Sequence, residues 1–257
     1  MLRNISVVII TRDAATTLDA TLRSLTDFDD VVVYDNGSSD DTPSIAASYP
    51  NVRLFQGEFI GFGPTKQHAV TLAANDWILS LDADEAPDAA LLSALEQWDC
   101  AVERNAAGEI RRNNLLLGKV VRHSGWGNDW LVRLFNRRFC NFNDAMVHEA
   151  VAIAASTRLV RLDGGITHQA VTDLSQFLDK VNRYSSIRAT HSRRRLHPAF
   201  ILAKALFAFL RTYGLRLGFL DGWRGVVIAF SNANGVFWKH MKAYALHRKG
   251  LDTRRKD

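Results

Sequence analysis

The chain has 257 residues, 47% of them hydrophobic and 23% charged, with a net charge of +5. That is enough for one large α/β domain with an appendage, and it excludes a wholly disordered chain. Two cysteines exclude a disulfide framework, and no stretch offers the roughly 20 uninterrupted apolar residues of a spanning helix.

The first hundred residues alternate strand and helix signals. Ile5 to Ile10 is a β-branched run suited to a parallel strand buried on both faces. It is too short for a signal peptide and is followed at once by Thr11-Arg12-Asp13. With free thiols expected at Cys100 and Cys140, this points to the cytoplasm. Ala14 to Leu25 carries apolar residues at helical spacing. Val31 to Tyr34 is the next strand, closed by the turn cluster Asp35-Asn36-Gly37-Ser38-Ser39-Asp40. A helix through Ala47, a strand at Val52 to Phe55 and a helix from about Thr65 to Ala74 follow.

The strand Trp77 to Leu81 then runs into Asp82-Ala83-Asp84-Glu85. Asp82 and Asp84, two apart, converge on one ion only if the chain leaves the sheet here, and Pro87 favours that exit. Such oxygen ligands suit Mg²⁺ or Mn²⁺ shared with substrate phosphates. The competing reading is a helix N-terminus decorated with acids.

The βαβαβ rhythm predicts an open parallel sheet with right-handed crossovers, which binds ligands beyond the carboxyl ends of its strands. Thr11–Asp13, Asp35–Asp40 and Asp82–Glu85 all fall at such ends. That coincidence favours a metal–nucleotide site over a cap. Neither G-x-G-x-x-G nor a P-loop is present. At Gly61-Phe62-Gly63-Pro64 a helix start with Lys66 offers a phosphate site, or a loop with a solvated lysine. His123 to Trp130 and the later Arg133-Leu134-Phe135 and Met146-Val147-His148-Glu149 mix aromatic and polar residues, as in a sugar or nucleotide pocket or a surface loop.

From Lys180 onward the chain has 17 Lys and Arg against 3 Asp and Glu, whereas residues 1–179 have 15 against 24. This divides an acidic catalytic domain, 1–179, from a basic helical region, 180–257. Within the latter, Ala199 to Leu210 is a strongly apolar helix with Lys204 and Arg211 seven apart on one face, preceded by Arg193-Arg194-Arg195. An interfacial helix on an anionic membrane and a core helix with a basic tail both fit.

The order VVIIT, YDNGSSDDT and LSLDADE resembles the family 2 glycosyltransferases, which have a GT-A fold: a Rossmann-like, mostly parallel sheet flanked by helices. The His123–Trp126, Val132–Phe135, Val147–Glu149 and Gly218–Gly222 segments are similar to a narrower group. These are the lipopolysaccharide core β-1,4-glucosyltransferases, which add glucose to an inner-core heptose. The resemblance implies an inverting, metal-dependent enzyme (Mg²⁺ or Mn²⁺) that uses a UDP-sugar and works peripherally at the inner face of the inner membrane. It implies that Thr11, Asp13, Asp35 and the Ser38–Asp40 turn hold the uridine. Lys66 approaches the donor, and Asp82 and Asp84 take the ribose and the metal. Glu149 is the implied base, with Asp129 as its competitor. His148 orients that base, and His168 is either a metal ligand or a packing residue. A nucleotidyltransferase would need a Gly- and Arg-rich loop after the first strand, which Thr11–Ala14 is not. A nucleic-acid-binding protein sits poorly with the acidic N-terminal part; no nucleic acid partner is expected.

Overall fold

A computed structural model describes residues 2–253 except Arg104, Val147, His148, His191 and 193–195, with the backbone alone for 249–253. The predicted roles of His148 and of the Arg193–Arg195 run therefore lie outside the described residues. The chain forms two compact units, Met1–Asn113 with Asp129–Gln169, and Asn114–Asn128 with Ala170–Asp257.

In the first unit the elements are β1 (Leu2–Thr11), α1 (Leu18–Arg23), β2 (Phe28–Asp35), α2 (Thr42–Ala47), β3 (Val52–Gln56), α3 (Phe62–Thr71), β4 (Trp77–Asp82), β5 (Glu85–Pro87) and α4 (Ala89–Glu96). The chain continues through β6 (Ala106–Leu116), β7 (Lys119–Val120, in the second unit), β8 (Trp130–Asn136), the short pair β9 (Asn141–Phe142) and β10 (Val151–Ala152), and β11 (Arg158–Val171). The sheet order is β3-β2-β1-β4-β8-β6-β11-β5.

Strands β1 to β4 form the expected parallel core, with Thr11 level with Asp35 and Ile10 level with Asp82. Their Val and Ile side chains are buried on both faces, because helices cover both. β8 then runs antiparallel to β4, and β5 antiparallel to β11.

Helix α1 begins at Leu18, later than the apolar spacing predicts. The amides of Asp13, Ala14 and Ala15 donate instead to Ser38 Oγ (2.9 Å), Thr42 Oγ1 (2.8 Å) and Asp40 Oδ2 (3.1 Å). Side-chain acceptors thus hold a turn where a helix would otherwise start.

In the second unit, residues 115–116 of β6 pair with β7. Leu116, Val121, Val171 and Ile228 form its small core, with Trp126 and Phe177 packed against it. The 114–128 segment therefore belongs with the C-terminal region, and the division falls at residue 169 rather than 179. Here α5 (Leu174–Thr190) and α6 (Pro198–Leu210) pack on α7 (Trp223–Thr253). A π-helical turn, Arg211–Leu215, extends α6. Residues Pro198–Leu215 have a mean hydropathy of 1.3 and are 17% buried, which by length and composition alone would suffice to cross a membrane. Ile201 and Ala208 face inward, while Phe200, Leu202, Leu206, Phe207 and Leu210 are exposed.

Candidate active site

The polar clusters predicted at the strand ends lie in the first unit, on strands that sit side by side. Thr11 and Asp35 are level on β1 and β2, and the Asn36 amide donates to Thr11 O (2.9 Å). The buried Thr11 hydroxyl has no hydrogen-bond partner among the described residues, a polar group in need of a ligand. Asp35 accepts from the Ser38 amide (3.1 Å) and hydroxyl. Asp13, at φ 50°, accepts from the Ser39 amide (2.8 Å). Asp40 accepts from the Thr42 hydroxyl and the Ala15 amide, which hold its carboxyl below the usual carboxylate range. Five of the seven expected donor-binding residues, Thr11, Asp13, Asp35, Ser38 and Asp40, thus form one cross-braced cradle between the ends of β1 and β2.

At the end of β4 the chain turns at Ala83-Asp84 and re-enters the sheet as β5, at the edge next to β11. The predicted exit from the strand occurs. The register places His168 opposite Glu85, and its Nε2 lies 3.4 Å from Asp84 Oδ2. Asp84 is 35% exposed and His168 18%.

Asp82 takes a different environment from Asp84. Its Oδ1 accepts from Lys66 Nζ (2.7 Å) and its Oδ2 from Arg133 (3.0 Å). Burial works to raise its pKa, but Arg133 and then Lys66 outweigh that and hold the carboxyl well below its ordinary range. Both oxygens are thereby committed, whereas the sequence placed Asp82 beside Asp84 on the metal. Among the described residues no group of three metal-ligating side chains converges.

Lys66 Nζ also lies 2.7 Å from Glu149 Oε1, with only 3% of its side chain exposed. On the other side, Arg133 reaches Glu85 Oε1 (2.7 Å), which Arg112 also contacts (3.3 Å), and Arg112 pairs with Asp129 (2.8 Å). The result is an alternating chain of charge: Glu149, Lys66, Asp82, Arg133, Glu85, Arg112, Asp129. Its two ends are the two carboxylates proposed as base. Among the described residues three cations meet four carboxylates here, and Asp84, beside His168, adds a fifth.

The predicted phosphate site at the start of α3 is not available. The amides of Phe62 and Gly63 donate to Met146 O (3.3 Å) and Ala145 O (3.0 Å). A Cβ on Gly63 would stand 1.9 Å from Asn143 O, so glycine lets the loop leading to Glu149 close on the helix. Arg112 was not singled out from the sequence, Glu85 was seen only as part of the acidic run after β4, and the role of Arg133 was not foreseen. For Arg133 a signal exists: one arginine inside the buried strand WLVRLFN demands a buried carboxylate. Arg112, beside Arg111, carries no such mark.

The model of glycosyl transferase family 2 matches residues 6–156, more than half of the chain and the stretch that holds every cradle residue and Glu149. The chain belongs to glycosyl transferase family 2. Its fold is accordingly GT-A. Over its length the family 2 protein is 25% identical to the uncharacterized glycosyltransferase RP128 of Rickettsia prowazekii, covering 98% of this chain and 90% of that one. It is likewise 25% identical to the lipopolysaccharide core biosynthesis glycosyltransferase LpsC of Rhizobium meliloti, covering 92% and 93%. Among solved structures it is similar to S. aureus TarS 1-349 in complex with UDP, at 15% identity and TM-score 0.46, covering 96% and 92%.

Proposed function

We propose that this family 2 glycosyltransferase moves a sugar from UDP to a saccharide hydroxyl with inversion at the anomeric carbon. The observation that carries the reading is the alternating charge chain that ends in Glu149 beside the β4 acidic turn. In this reading the Thr11–Asp40 cradle takes the uridine and Asp82, fixed from both sides, faces the ribose. Asp84 and His168 form an oxygen–nitrogen pair with exposed edges, a donor set that favours Mn²⁺ over Mg²⁺. A bound divalent cation would offset the charge that collects on the departing diphosphate. Glu149 takes the proton from the attacking hydroxyl. Attack from the face opposite the diphosphate turns an α-linked donor into a β-linked product.

The donor sugar proposed is glucose, and the acceptor an inner-core heptose of lipopolysaccharide or a related envelope glycan. The similarity to LpsC supports the envelope setting. The exposed apolar face of α6, with Lys204 and Arg211 beside it, supports peripheral attachment to an anionic membrane from the cytoplasmic side.

The test is a panel of UDP-, GDP- and CMP-sugars with Mn²⁺ or Mg²⁺, followed by donor hydrolysis and thermal shift. Stabilisation by UDP with metal and slow hydrolysis of one UDP-sugar is expected; no response to any nucleotide refutes the reading. Glu149→Gln is expected to slow transfer about 10²–10⁴-fold with UDP binding retained. A normal rate would move the base role to Asp129.

A further inference from the structure

The second unit contains a cleft of about 760 Å³ that the sugar-nucleotide reading does not use. It lies between the β6–β7 turn, the segment from Arg122 to His123, and the start of α7. Its size falls in the range of small-ligand sites, roughly 300–1,000 Å³.

Three features of its wall are built rather than incidental. First, the carboxylate in the lining, Asp221, is turned inward. Its side chain is 6% exposed and accepts from the Arg122 amide (3.1 Å), the His123 amide (3.1 Å) and the Ser124 hydroxyl (2.8 Å), with His123 Nδ1 at 3.2 Å. It ties down the 122–124 segment and is engaged by these groups rather than by the Lys119 or Arg122 side chains. Second, Lys119 and Arg122 both line the cleft, and their side chains are exposed and make no ion pair among the described residues. Lys119 is presented by a turn with Leu117 at φ 49° and Gly118 at φ 72°, the backbone of a tight hairpin. Third, Arg224 is anchored on Leu116 O (2.8 Å) and Leu117 O (3.2 Å), and its guanidinium lies 4.5 Å from the centroid of the Trp223 ring. Trp223 is still 51% exposed. One side of the indole is thus backed by a fixed cation.

A rigid aromatic surface next to two unpaired cations suits a ligand with a flat apolar face and a negative substituent. A pyranose has such a face, and a phosphate supplies the charge that Lys119 and Arg122 lack. The geometry points to a binding site for a phosphorylated pyranose in this cleft, with Trp223 as the platform and Lys119 and Arg122 on the phosphate. The anion half of this inference rests on the second unit alone; the saccharide half rests on the sugar-transfer reading.

Isothermal titration of the full chain tests it, with mannose 6-phosphate, mannose, inorganic phosphate, and phosphatidylcholine vesicles containing phosphatidic acid as separate probes. Mannose 6-phosphate is expected to bind at least about tenfold more tightly than mannose, which lacks the charge-assisted contacts, and than phosphate, which lacks the face that Trp223 covers. Lys119→Glu with Arg122→Glu is expected to abolish that binding. Trp223→Ala should erase the advantage of the sugar phosphate over phosphate. Lys119→Gln and Arg122→Gln serve as milder variants should the charge reversal impair folding. Equal affinity for phosphate and mannose 6-phosphate overturns the inference, as does binding that survives the charge reversal. Vesicle binding without sugar-phosphate binding also overturns it and assigns the cations to a lipid headgroup. A parallel UDP titration separates the two readings. UDP binding without sugar-phosphate binding removes the cleft site and keeps the donor site, while loss of both removes both.

Discussion

Replacing Lys66 with methionine keeps the apolar stem and removes the one ammonium that lies 2.7 Å from both Asp82 and Glu149. Asp82 keeps Arg133, but Glu149 loses its ion-pair partner among the described residues, and two carboxylates then face each other without the charge between them. Removing one partner from a buried ion pair costs about 3–5 kcal/mol, so Lys66→Met is expected to lose that much at pH 7. The loss should depend on pH in a definite direction. In the wild type the folded Asp82 carboxyl titrates below its unfolded value of about 3.9, so its stabilisation is full above that pH and fades as pH falls through the folded pKa. In the variant Asp82, with Arg133 alone left to oppose the effect of burial, takes up a proton more readily when folded, which partly relieves the repulsion as the medium is acidified. The deficit should therefore be largest near pH 7 and shrink towards pH 4. Urea unfolding of both proteins, followed by far-ultraviolet circular dichroism at pH 7, 5.5 and 4, measures it. A deficit below about 1 kcal/mol, or one that is constant with pH, would refute the electrostatic account and leave Lys66 as a packing residue.

Gly63→Ala places a methyl group against Asn143 O and is expected to cost about 1–3 kcal/mol by overpacking. Because the displaced loop leads to Glu149, transfer should fall as well, and an unchanged melting temperature would contradict the close approach. Asp30→Ala probes the opposite end of the sheet, where the carboxylate accepts from Ser6 Oγ (2.5 Å), Arg53 Nε (2.8 Å) and the Ala74 amide (2.8 Å). A loss of about 3 kcal/mol in urea unfolding is expected, with catalysis intact in the surviving folded fraction. Flotation with vesicles containing anionic lipid at low salt should carry the wild-type protein upward. Leu206→Asp with Phe207→Asp should reduce the bound fraction at least about tenfold, since each exposed side chain contributes about 1.5–3 kcal/mol when buried in lipid. A wild-type protein that stays at the bottom sinks the membrane assignment.

The parallel core was legible because fully buried strands leave continuous β-branched runs, and Val31–Val33 and Ile5–Ile10 are such runs. The cradle at Asp35–Asp40 was legible too, since dense Asx and Ser residues mark a strand end by their own chemistry. What the linear order hid was pairing at long range. Nothing near Asp82 announces that Lys66 and Arg133 take both its oxygens, and nothing near Arg112 announces Asp129. The start of α1 was misplaced for a related reason: its first amides bond to side chains roughly 25 residues away, which apolar spacing cannot register. The 114–128 segment was assigned to the catalytic part because its sequence neighbours are there. Its core partners, Val171 and Ile228, come later in the chain.

The antiparallel join of β5 to β11 has a consequence for the order in which the protein matures. The acidic turn at Asp82–Glu85 is made early in synthesis, but the strand that seats it, and the histidine facing Asp84, arrive more than 80 residues later. A nascent chain that has emerged only through residue 156 has its parallel core and the cradle between β1 and β2, but β5 lacks the strand it pairs with. The part of the cluster around Asp84 is thus the last piece to be assembled, and a growing chain cannot complete it until residue 169 has left the ribosome.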